Sequence, residues 1–151
     1  MHEIMKASSP ASPVELRHRI TEFEDILLQH DQVDIPVTQY FCNGVYAREI
    51  TIPAGTLITG KIHKHPCLSI VLTGKMEVIT DEGPRVIVAP LVYESPAGVK
   101  RAGRALEDCR WITIHPHTGD ELDAEAMAAL LTVNTYAELE QFNQERLECQ
   151  S

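Results

Sequence analysis

The stretch Gly60-Lys-Ile-His-Lys-His-Pro-Cys-Leu-Ser-Ile-Val-Leu-Thr-Gly74 decides how this chain is read. Side chains two apart on a strand share a face, so Lys61, His63 and His65 point the same way. Two imidazoles at that spacing can reach one metal ion from one side. They can equally be polar residues on the rim of a sheet. After them Cys67–Thr73 forms a β-rich run that Gly74 ends.

Further β-rich runs lie on either side: Val37–Phe41, Val45–Ile52, Leu57–Ile62, Lys75–Thr80, Arg85–Val88 and Arg110–His115. Turn formers separate them, namely Asn43-Gly44, Pro53-Ala54-Gly55, Asp81-Glu82-Gly83-Pro84 and Pro96-Ala97-Gly98. Short strands at this spacing, with no helix between them, predict an antiparallel sandwich or barrel. Closing the sheet on itself would remove exposed edges. In the last run alternation sets Trp111, Thr113 and His115 on one face and Ile112 and Ile114 on the other.

Both flanks read as helix. Ser12 caps the first, Pro13 suits its first turn, and Glu15 completes a capping box before the stripe Leu16, Ile20, Phe23 and Leu27. The tail holds an alanine-rich helix over Glu121–Leu131 and a second capping box at Thr135-x-x-Glu138. These acidic helices carry no chemical motif and are expected to present a solvated outer face over a packed inner one.

Composition excludes several classes. With 44% hydrophobic and 23% charged residues, the 151-residue chain has enough apolar surface to offset the entropy of ordering. Four cysteines with no CxxC pair do not make a disulfide scaffold, and Cys42, Cys109 and Cys149 read as reduced thiols. No apolar run approaches the ~18 residues of a membrane span, and Met1 to Pro10 lacks a signal-peptide core. The expectation is a single soluble, cytoplasmic domain with no membrane partner.

The net charge of −9 is unevenly spread. Residues 1–59 carry −4, residues 60–104 carry +3 and residues 105–151 carry −8. Duplex nucleic acid rewards a large basic face, which is lacking here. A small anion near the middle of the chain suits the same distribution.

The layout of Gly60–Gly74 followed by Ser95-Pro-Ala-Gly-Val-Lys-Arg101 resembles the two motifs of the cupin superfamily. More narrowly, Val45–Arg48, Pro53–Thr56, Ile70–Gly74, Ser95–Arg101, Ala105–Asp108 and Trp111–Pro116 resemble small single-domain cupins of tailed phages. The resemblance spans residues 36–118. It implies a mainly β fold: a single small cupin-type antiparallel β-barrel, or jelly roll, over 35–118. An N-terminal helical extension over 1–34 and a C-terminal helical tail over 119–151 would flank it. It also implies a phage accessory role, in the host cytoplasm, and self-association as a dimer or higher.

In that family two histidines and a glutamate from the first motif, with a third histidine from the second, hold a divalent metal. Counted back from Gly74, the family spacing puts Lys61 and His63 at the two histidine positions and Cys67 at the glutamate. Arg101 stands at the third histidine, and a guanidinium cannot ligate a metal. Two site readings follow. In one, His63, His65 and Cys67 hold a divalent ion such as Zn, Fe, Mn or Ni. In the other, Lys61 and Arg101 replace the metal's charge, and with His63, Trp111 and His115 they line a pocket for a small anionic molecule. Three functions stay open: a non-enzymatic small-molecule-binding cupin, a metal-dependent isomerase or dioxygenase, and a structural or assembly protein. Cys67 reads as a buried structural thiol sooner than as a nucleophile.

Overall fold

Two antiparallel sheets face each other in the computed structural model, which describes residues 12–80 and 82–150. The chain runs through α1 (Pro13–Leu27), then β1 (Val37–Cys42), β2 (Gly44–Ile52), β3 (Leu57–Thr59), β4 (Ile62–His63), β5 (Cys67–Thr73) and β6 (Lys75–Thr80). It continues through β7 (Gly83–Val88), β8 (Leu91–Ser95), β9 (Ala102–Ala105), β10 (Cys109–His117), α2 (Ala124–Leu131), β11 (Thr132–Val133) and α3 (Tyr136–Glu148). The larger sheet has the order β1-β2-β10-β5-β8 and the smaller β3-β9-β6-β7.

The fold is mainly β, as expected, but the sheets do not close into the barrel that the resemblance implied. β1 and β8 remain edges of one sheet and β3 and β7 of the other, while β4 pairs with β11 outside both. One departure lies at Gly60 and Lys61. The expected strand Leu57–Ile62 breaks there, Gly60 N–H donates to the Arg101 carbonyl at 2.9 Å, and Ile62–His63 turns away to meet the tail.

One end of the space between the sheets is filled. Ile52, Met76, Val78, Ala105 and Cys109 form the buried core, with Ile50, Ile58 and Trp111 packed on it. Gly74 makes this packing achievable: its φ is +90°, and a Cβ there would collide with the Asp108 carbonyl and the Cys109 sulfur.

Helix α1 begins with the expected reciprocal Ser12–Glu15 capping box. Its apolar stripe meets the chain's own β3 side, with Ile20 buried. Glu24 fixes this docking. Its carboxylate lies 2.8 Å from Lys100 Nζ and accepts the Thr59 hydroxyl at 2.6 Å, and the Lys100 side chain is only 3% exposed. The tail also turns inward. Asp123 caps α2, and Lys64 Nζ donates to the carbonyls of Ala129 and Leu130 at the other end of that helix. Among the described residues, no helix is long and apolar enough to cross a membrane. Met1 to Pro10 and Asp81, both used in the sequence reading, lie outside the described residues.

Candidate functional site

The larger sheet lays its inward side chains in rows, because strand register sets β2, β10, β5 and β8 side by side. One row runs Ile50, Trp111, Val71, Leu91. The next runs Arg48, Thr113, Ser69, Tyr93. Beyond it Tyr46 pairs with His115 and Cys67 with Ser95. Polarity therefore changes along the strands in steps of two residues, from an apolar floor to a titratable rim. A cavity of about 500 Å³ lies over these rows, and Ala124, Ala128 and Leu131 of α2 form part of its wall.

At the rim β4 delivers His63. Its Nδ1 is 3.2 Å from Cys67 Sγ, and its ring stands edge-on to His115 with centroids 5.4 Å apart. His115 Nε2 lies 3.1 Å from the Thr113 hydroxyl. The donor atoms of His63, Cys67 and His115 all fall within 4.8 Å of one another. Burial pulls the His63 pKa down, and the charges of Arg101 and Arg48 pull it further. Burial, followed by His63, Arg48 and His65, takes His115 down to about 4. Burial raises the Cys67 thiol, with Ser69, Arg101 and Ser95 opposing that rise. At neutral pH the trio is thus two neutral imidazoles and a protonated thiol.

These donors fit a metal in number, reach and softness, since zinc accepts nitrogen and thiolate sulfur in one tetrahedral set. Such an ion would supply Lewis-acid polarisation to whatever lay in the cavity. The field does not favour it. Arg48 and Arg101 already act against protonation of His63 and would act against a dication, and Cys67 would have to lose its proton on binding.

Not all the expected site residues meet. His63, Arg101, Trp111 and His115 line the cavity, and Lys61 joins them from an exposed position at its lip. His65 does not. It packs edge-on against Phe142 of α3 with centroids 5.5 Å apart, so it leaves the expected metal set. Strand β4 ends at His63, and the alternation that would have made His63 and His65 share a face ends with it. His115 takes its place in the trio, and the alternation Trp111–Thr113–His115 was the signal for that. Arg101 is held by donation to the Ser95 hydroxyl at 3.1 Å and lies over the Tyr93 ring at 5.3 Å.

Two features escaped the sequence reading. The wall contributed by α2 is one. Arg48 is the other, an arginine in the inward file Tyr46, Arg48, Ile50, Ile52. Its Nε is buried without a hydrogen-bond partner, as is the Tyr93 hydroxyl at the far end of the same row. Among the described residues lining the cavity, three cations stand against one carboxylate, the exposed Glu125.

The solved structures to which this chain is similar include proteins of the cupin superfamily. A cupin superfamily protein from Desulfitobacterium hafniense shares 13% identity, with 58% of this chain and 81% of that one covered and a TM-score of 0.47. A cupin domain from Bordetella pertussis shares 18%, covering 58% and 98% at 0.46. An RmlC-like cupin family protein with a double-stranded β-helix fold, from Methanocaldococcus jannaschii, shares 16%, covering 59% and 85% at 0.46. No protein-family model and no curated protein matches the sequence. These likenesses are weak, so the site is defined by the residues of this chain.

Proposed function

We propose that the chain is a non-enzymatic small-molecule-binding protein whose cavity takes an anion at Arg48 and Arg101. The buried Arg48 Nε carries this reading. A buried donor left without an acceptor costs about 1–3 kcal/mol, and more when it is charged. A carboxylate or phosphate in the cavity would offset the uncompensated charge of Arg48, and a guanidinium fork matches such groups in two bonds. Arg101 adds a second positive charge near enough to depress the His63 pKa. The open cavity weighs against a purely structural role.

Trp111 is the sole tryptophan and lines the cavity, so its emission reports occupancy. Titration with acetate and with inorganic phosphate should give a saturable change that weakens about tenfold in Arg101→Ala, the loss of one charge-assisted pair. A variant that binds every such anion as the wild type does would contradict the proposal. The second reading, a metal-dependent enzyme, rests on the donor atoms of His63, Cys67 and His115. A stoichiometric Fe, Mn, Ni or Zn signal in protein purified without added metal would put that reading first.

A further inference from the structure

We infer that the anion is the head of an amphiphile, a medium-chain aliphatic monocarboxylate; this rests on the anion-binding function proposed above. The row holding Arg48 lies one step from Ile50 and Trp111, and two steps from Ile52. A strand rises about 3.4 Å per residue, so the Ile52 position lies about 13–14 Å beyond Arg48, the reach of a medium alkyl chain. Ile58 of β3 and Met76 and Val78 of β6 line the same end from the facing sheet.

Size and polarity together select the ligand. A cavity of about 500 Å³ is far larger than an acetate or a phosphate ion. With such an ion at Arg48, the remaining space would hold water against the part-exposed side chains of Val37, Ile50 and Ile58, which offer it no hydrogen bonds. An alkyl chain displaces that water and completes the apolar core from which the cavity floor is made. The ligand is a monoanion because the cations Arg48, Arg101 and Lys61 lie on one side, with no cation among the Ile52, Met76 and Val78 side chains to meet a second charge.

The test is a series of acetate, butyrate, hexanoate and octanoate, with neutral hexanol as the control, at constant ionic strength. Binding is followed by Trp111 emission and checked by calorimetry. Affinity should rise about fourfold per methylene, the equivalent of ~0.8 kcal/mol per buried CH₂. The rise should extend to hexanoate or octanoate, and hexanol should bind at least about tenfold more weakly than hexanoate. Equal affinities for acetate and hexanoate would overturn the amphiphile and leave the anion site standing. Hexanol binding as tightly as hexanoate would overturn the anion site itself, and absence of binding across the series would overturn both.

Discussion

On the inner face of the larger sheet, Ile50, Trp111, Val71 and Leu91 lie one strand repeat from Arg48, Thr113, Ser69 and Tyr93. The same four strands build both rows, and the two are in opposite states. The apolar row continues into the core with Ile52, Met76 and Val78, and its one polar side-chain atom is the Trp111 indole nitrogen. The polar row holds the two buried side-chain atoms without hydrogen bonds among the described residues, Arg48 Nε and the Tyr93 hydroxyl. Selection for stability alone would favour an apolar side chain at Arg48. Under the proposed function, this local breach of the packing rules beside an apolar row is where the anion would sit.

The apolar row should dominate stability. Ile52→Ala removes a side chain that is 1% exposed and should cost about 3–4 kcal/mol by denaturant titration. Acetate affinity, measured where the variant is still folded, should be unchanged, because the Ile52 position lies about 13–14 Å beyond Arg48. A loss of affinity with no loss of stability would erase the distinction between the rows.

The rim should add a pH dependence that the floor lacks. His115 titrates at about 4 in the folded chain, against 6.5 for the ordinary group. The unfolded chain therefore takes up this proton first as pH falls. The contribution is fully present above pH 6.5 and is lost towards pH 4, by up to about 3 kcal/mol. His63, Arg48 and His65 oppose the charge from the surrounding elements. In chelator-treated protein, the difference in unfolding free energy between wild type and His115→Asn should vary with pH across this window. A pH-independent difference would show that the His115 environment has been misassigned.

Local signals were easy to read. Both capping boxes, the α1 stripe and the strands on either side of Asn43-Gly44 depend on neighbours in sequence, and they stand where the spacing put them. Trp111, Thr113 and His115 follow the alternation of one uninterrupted strand. What was hidden depends on distant partners. Strand β9, Ala102–Ala105, is three small residues and Arg104, and it is a strand because β3 and β6 flank it. Strand β11 has two residues and exists through its pairing with β4. The α2 wall could not be seen because nothing local says that Ala128 and Leu131 face a cavity. His65 was misplaced because a strand that ends two residues early loses its facing rule. Arg48 was passed over because a charge within a strand pattern looks like an outward residue until the register is known.

The distinction between the rows is tested most directly by thermal and denaturant unfolding of wild type and Arg48→Met, each with and without hexanoate or acetate. Replacing a half-buried guanidinium whose Nε has no hydrogen bond with an apolar side chain of similar length should stabilise the ligand-free protein by about 1–2 kcal/mol. The stabilisation that a bound anion gives the wild type should disappear in the variant. An Arg48→Met protein that is less stable than wild type and still gains stability from the anion would contradict a preformed anion site at Arg48.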